Sequence, residues 1–217
     1  MKKDSTELVF ILDRSGSMHG MEADTIGGFN SMLKKQKEEP GECRITTVLF
    51  DDRYELLHDR LDLQAVAELT DKDYTVRGCT ALIDAIGKTI KKIGDAQKHT
   101  AEEYRASKVL FVIITDGYEN ASRRYSSAEV KAMIERQKEK YGWEFIFLGA
   151  NIDAVETARH FGIAEDRAVN FHNDHVGVHL NYSVMADVAA DFRHTGKVCA
   201  CRMASIREDF VKRGGRK

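Results

Sequence analysis

The stretch Leu8-Val9-Phe10-Ile11-Leu12-Asp13-Arg14-Ser15-Gly16-Ser17 runs through five apolar residues without alternation and then turns abruptly to a carboxylate and two hydroxyls. Consecutive apolar positions leave a strand no wet face, so this one is read as buried on both sides, as in a parallel sheet. Two later runs repeat the pattern: Val109 to Thr115, followed by Asp116-Gly117, and Phe145 to Leu148, followed by Gly149-Ala150-Asn151. Between them, Leu82, Ile83, Ala85, Ile86, Ile90 and Ile93 recur at spacings of three and four, which predicts an amphipathic helix over Ala81 to Ile93. Ser126 to Tyr141 and Ala154 to Phe161 predict further helices, and Ala168 to Phe171 a last short strand. Arg44 to Phe50 and Tyr54 to His58, joined across Asp51-Asp52-Arg53, predict two strands linked by a tight turn and so one antiparallel strand at the sheet edge. The fold class expected is α/β: a Rossmann-like three-layer α/β/α arrangement with a mostly parallel central sheet and one antiparallel edge strand.

Composition sets the outer bounds. The chain has 217 residues, of which 42% are hydrophobic and 31% charged, with a mean hydropathy of -0.42. These values describe a folded water-compatible protein and exclude a collagen-like or wholly disordered chain. Lys+Arg 33 against Asp+Glu 35 leaves a formal charge of -2, which gives no whole-surface reason to expect nucleic acid or a membrane as partner. Lys2 and Lys3 precede an apolar run, but that run ends at Asp13, short of the roughly 7–15 residues a secretion signal needs. Together with four scattered cysteines, Cys43, Cys79, Cys199 and Cys201, this predicts a cytoplasmic protein with reduced thiols.

In an open α/β sheet, ligands gather at the carboxyl ends of the strands near a switch in strand order. The residues placed there are Asp13, Ser15 and Ser17 after the first strand and Asp116 after a later one, with Thr80 opening a helix. Alone, a serine in such a loop is most often a helix cap and an Asp-Gly most often a turn. In combination they make a set of hard oxygen donors with no thiolate or imidazole among them, suited to Mg²⁺, Mn²⁺ or Ca²⁺ rather than zinc or copper.

Three segments, Asp13-Arg14-Ser15-Gly16-Ser17-Met18, Gly78-Cys79-Thr80-Ala81-Leu82 and Thr115-Asp116-Gly117, resemble in order the D-x-S-x-S, threonine and aspartate motifs of the von Willebrand factor type A domain family. The resemblance extends over residues 5–195 and leaves 196–217 as a basic extension, read as mobile. It is similar to family variants of bacteria and phages that lack secretion signals. It implies a metal-ion-dependent adhesion site in which Ser15 and Ser17 hold the cation directly, and Asp13, Thr80 and Asp116 hold it directly or through water. It further implies that a partner protein completes the coordination with an Asp or Glu carboxylate. The loops Met18 to Asp24, Arg77 to Cys79 and Tyr118 to Arg124 would then choose the partner, with Tyr118, Arg123, Arg124 and Tyr125 as a contact cluster.

An enzymatic alternative starts from the same Asp13, since an aspartate ending the first strand also serves metal-dependent phosphohydrolases of the haloacid dehalogenase kind. Those need a second acid two residues on, where this chain has Ser15, and neither G-x-x-x-x-G-K-[ST] nor a G-x-G-x-x-G after the first strand is present. His19 is the one base adjacent to Ser15 and Ser17. The expectation is therefore a binding module rather than an enzyme. Two features stay open at this level. His172, His175 and His179 would make a second metal site only on a helix that starts early, which Gly177 opposes. Cys199 and Cys201 form a single Cys-x-Cys without a second pair.

Overall fold

The computed structural model describes residues 4–215. Strands β1 (Ser5–Asp13), β2 (Glu42–Phe50), β3 (Tyr54–Asp62), β4 (Lys108–Thr115), β5 (Glu144–Ala150) and β6 (Ala168–Phe171) form one sheet in the order β3-β2-β1-β4-β5-β6. All neighbours run parallel except β2 and β3, so the antiparallel strand stands at the edge as expected. Helices α1 (Glu22–Glu38), α5 (His175–Thr195) and α6 (Ala204–Lys212) cover one face, while α2 (Leu82–His99), α3 (Ser127–Tyr141) and α4 (Ala154–His160) cover the other.

The side-chain alternation of a strand explains the three layers. Leu8, Phe10 and Leu12 of β1 enter one apolar core with Phe29, Met32 and Phe192, whereas Val9 and Ile11 enter the other with Ile86, Ile90 and Ile134. Residues 8 to 12 are all buried, which is why the run carries no polar alternation. β1 is also the strand at which the chain order reverses, with β2 on one side and β4 on the other. The crevice at its carboxyl end is where a doubly wound sheet places ligands.

Several expectations need correction. The basic extension 196–217, read as mobile, instead forms a short turn at Ala200–Met203 and then α6, which packs on β6 and α5. Its apolar residues decide this: Met203 and Ile206 are fully buried in the same core as β1, and Arg213 pairs with Asp174 at the start of α5. Residues 216 and 217 lie outside the described part. The helix opposed by Gly177 begins at His175, because Asp174 caps it by accepting the Gly177 amide at 2.9 Å. Glycine is required there, since a Cβ would stand 2.0 Å from the His172 carbonyl oxygen. The cysteines are not all free thiols either, as Cys199 and Cys201 are joined in a disulfide, while Cys43 is buried and Cys79 exposed. Among the described residues, no helix is long and apolar enough to cross a membrane.

Candidate metal centre

Asp13 ends β1 with its carboxylate already organised. One oxygen accepts the Ser15 amide at 2.7 Å and the other the Thr115 hydroxyl at 2.5 Å, while the Tyr74 hydroxyl donates to the Asp13 carbonyl. The Asp13 side chain is thereby fixed by its own loop and by the neighbouring strand β4. The loop then presents Ser15 and Ser17, whose Oγ atoms lie 3.1 Å apart, and Ser17 donates to Asp116 Oδ1 at 2.5 Å. Asp116 leaves β4, the neighbour of β1, which brings positions 13 and 116 to one sheet edge.

Thr80 comes from the segment before α2. Its amide donates to the Asn120 side-chain oxygen at 2.9 Å and its carbonyl accepts the Asn120 and Ala121 amides at 3.0 and 3.2 Å. Gly117 shows that the hydroxyls converge, for a Cβ built on it would meet Ser17 Oγ at 3.3 Å and Thr80 Oγ1 at 3.4 Å. The hydroxyls of Ser17 and Thr80 thus face Gly117, with Ser15 and Asp116 bonded to Ser17 and Asp13 held beside them by the Ser15 amide. Asp13, Ser15, Thr80 and Asp116 are buried, and Ser17 is exposed at the rim.

This donor set fits a hard divalent cation. Two carboxylates and three hydroxyls supply oxygen alone, and the two carboxylates burden each other in the absence of a positive charge. Burial raises the Asp13 carboxyl despite its bonds from Thr115 and Ser15. Burial, with the neighbouring Asp13 charge, pushes Asp116 up to about 6. The folded protein without metal therefore retains a proton that the unfolded chain releases. That contribution is fully present below the ordinary carboxylate range and is lost as pH rises through about 6. Melting of metal-stripped protein across this range is expected to show the loss, and added Mg²⁺ to reduce it. A melting temperature insensitive to Mg²⁺ at every pH would contradict the assignment.

Other residues at this edge are not among the five site residues read from sequence, although Asn151 stands in the triplet Gly149-Ala150-Asn151 that follows the apolar run 145–148. Asn173, in the loop between β6 and α5, donates from Nδ2 to Asp116 Oδ2 at 2.7 Å, while its own Oδ1 is buried without a partner. The Asn151 amide group reaches the Asp116 carbonyl at 3.4 Å. Asp51, read only as part of a turn, is fully buried and accepts from Arg14 Nε at 3.0 Å, Arg77 Nε at 2.8 Å and the Arg53 amide at 2.6 Å. It ties the loop bearing Ser15 to the segment leading to Thr80.

The histidines do not gather into a second centre. His172 Nε2 lies 3.0 Å from the Phe210 carbonyl oxygen, and His175 pairs with Asp24. Among the described residues, no three His, Cys, Asp or Glu side chains form a group that could hold a metal ion. His19 faces Glu22 across 3.4 Å at the surface, while Ser17 bonds to Asp116.

Solved structures with this architecture include proximal thread matrix protein 1 from the mussel byssus with a zinc-occupied MIDAS motif. It matches over 87% of this chain and 46% of its own, with a TM-score of 0.56–0.57 in its several crystal structures and 13% identity in the zinc form. A von Willebrand factor type A protein from Catenulispora acidiphila matches over 87% and 43%, with a TM-score of 0.56 and 12% identity. This chain has the von Willebrand factor type A fold. Manganese-loaded TRAP protein of Plasmodium vivax shares that fold, with a TM-score of 0.56 and 14% identity over 88% of this chain and 74% of its own. The chain spans less than half the length of the mussel and Catenulispora proteins. Neither a protein-family model nor a curated protein matches its sequence. Within the von Willebrand factor type A fold, the cluster of Asp13, Ser15, Ser17, Thr80 and Asp116 stands at the carboxyl edge of β1 and β4.

Proposed function

We propose that this chain is a divalent-cation-dependent protein-binding module in which Mg²⁺, or Mn²⁺ or Ca²⁺ in its place, is held by Asp13, Ser15, Ser17, Thr80 and Asp116 and captures an Asp or Glu carboxylate of a partner. The observation that carries this reading is the convergence of Ser17 and Thr80 on Gly117 beside two buried carboxylates. Metal-loaded proteins among those sharing the fold support it: one holds zinc in its MIDAS motif and another is loaded with manganese. Bound there, a cation would supply positive charge at an open edge, to which a carboxylate can add. The chain's part is to hold the oxygens in place beforehand. Thr115 and the Ser15 amide orient Asp13, Asn173 and Ser17 orient Asp116, and the buried setting strengthens each charge–charge contact made inside it. A cytoplasmic setting belongs to the same proposal, and the Cys199–Cys201 bridge is the feature that pulls against it.

The alternative, a metal-dependent phosphohydrolase using Asp13 as nucleophile, has less to stand on. Both Asp13 oxygens are already engaged by Ser15 and Thr115, and position 15 offers no acid. The test is calorimetric titration of metal-stripped protein with Mg²⁺, Mn²⁺ and Zn²⁺. Wild type is expected to bind the hard cations, and Ser15→Ala/Ser17→Ala and Asp116→Ala to lose that binding while keeping the wild-type circular dichroism. Equal cation affinity in all three proteins would remove the proposal, and phosphate-ester turnover lost in Asp13→Asn would favour the alternative.

A further inference from the structure

Beside the Thr80 segment the surface opens into two adjoining clefts, one of about 330 Å³ and one of about 520 Å³, which share Asp52, Asp84 and Arg124 as lining. The first is walled by Arg53, Lys88 and Arg124 over an apolar floor that includes Phe50 and Ala85, and the second by Arg123, Arg124 and Cys79. Ala81 and Cys79, on either side of Thr80, belong to one cleft each, so the groove borders the metal centre directly.

Four cations are displayed along this groove, and one of these, Arg124, is felt by a groove carboxylate, that of Asp84. Among the described residues, neither Arg53, Lys88, Arg123 nor Arg124 has a carboxylate within salt-bridge distance, although the chain as a whole is slightly acidic. Lys88 Nζ instead stands 3.9 Å over the Tyr54 ring. The backbones that carry the arginines are fixed. Asp84 accepts the Arg123, Arg124 and Tyr125 amides, each at 2.9 Å, and Asp51 accepts the Arg53 amide at 2.6 Å. The Asp84 carboxylate is thereby engaged with backbone inside the groove, leaving Asp52 as the exposed acid against four cations. Cations on a rigid backbone, without salt bridges and rimming a cleft with an apolar floor, suit a negatively charged chain laid along it.

We propose that this groove docks an acidic peptide segment of the partner protein, continuous with the residue whose carboxylate reaches Ser15, Ser17 and Thr80. The proposal rests on the metal-dependent binding proposed above and adds the partner's chemistry, several Asp or Glu residues flanking the captured one.

The probe is an octaglutamate peptide, followed through an environment-sensitive dye on Cys79. That thiol lines the groove and is the exposed free cysteine, while Cys43 is buried with its thiol pushed up to about 12 by burial. Affinities are compared in Mg²⁺ and in EDTA for wild type, Arg53→Glu/Arg124→Glu, Ser15→Ala/Ser17→Ala, and a control of equal charge change, Arg136→Glu/Lys140→Glu on the exposed side of α3. Calorimetry on unlabelled protein repeats the comparison. The groove variant is expected to weaken the peptide roughly tenfold more than the control in both buffers, with an effect that shrinks at high salt. The serine variant is expected to remove only the increment that Mg²⁺ adds. If the serine variant changes nothing while the groove variant does, the groove stands and the metal reading fails. A groove variant no weaker than the control overturns the groove whatever the metal does. Oligothymidylate of equal charge bound as tightly as octaglutamate overturns the commitment to an acidic peptide.

Discussion

Asp51→Ala is expected to destabilise the protein by about 3–5 kcal/mol, the range for stranding one member of a buried ion pair. Asp51 has no exposed surface, and its partner Arg14 is 2% exposed at the side chain. Glu55 also reaches Arg14, at 2.8 Å, but it is half open to solvent and screened, and Arg14 Nη2 has no partner even in the intact protein. Removing Asp51 would leave a guanidinium in the interior held by one exposed carboxylate. Urea unfolding measures the loss, and a double-mutant cycle with Arg14→Met should return a coupling of at least ~2 kcal/mol, because taking away both charges is far less costly than taking away one. Burial opposes the Asp51 charge, yet Arg77, the Arg53 amide and Arg14 hold its carboxyl below the ordinary range. Its contribution is thus present at neutral pH and is lost as pH falls below that range. The same variant should weaken the proposed cation site, since Asp51 bonds both Arg14, in the Ser15 loop, and Arg77, in the segment leading to Thr80. A cost below about 1 kcal/mol would show that water reaches Arg14 readily and that the pair is not a buried one.

Arg193→Met carries the second large expected effect, about 3 kcal/mol. Arg193 is a buried cation of α5, and among the described residues no carboxylate lies within salt-bridge distance of it. It donates to the carbonyls of Gln36, Glu39, Pro40 and Gly41, the last three at 3.0, 3.0 and 3.1 Å. These carbonyls lie at and just past the end of α1, where orphan acceptors and the negative pole of the helix favour a cation. Methionine keeps the volume and loses every one of these bonds, each of the charge-assisted kind. Lysine keeps the charge without the fork and should recover only part of the loss. Denaturant unfolding gives the energy, and amide exchange should quicken in residues 36–41 before it does elsewhere. Exchange unchanged in that segment would mean that α1 ends stably without Arg193.

How much was legible in the sequence depended on whether one local pattern carried the information. β1, β4 and β5 could be read because burial on both faces removes polar alternation, and the D-x-S-x-S loop, Thr80 and Asp116 because each follows a strand or precedes a helix. Asn173 could not, as a single amide after a four-residue strand has no periodicity, and only the β5–β6 pairing brings it to Asp116. Asp51 looked like turn chemistry because its partners, Arg14 and Arg77, are distant in sequence. Gly177 reads locally as a helix breaker, yet its lack of a side chain is what lets α5 start beside the His172 carbonyl. In the extension, counting charge hid the apolar spacing of Met203, Ile206 and Phe210, which is helical.

The strand order has a consequence for how the protein is made. β1 precedes the other five strands along the chain, yet its β4 neighbour, with Leu8 opposite Leu110, comes about a hundred residues later. At roughly 5–20 residues per second the apolar run of residues 8–12 waits on the order of 5–20 s with one edge unpaired. β2 and the β2–β3 hairpin can guard only its other side. The interval before β4 arrives is therefore when a nascent chain is most exposed to wrong pairing, and the cluster of Asp13 and Asp116, which needs both strands, can assemble only after it closes.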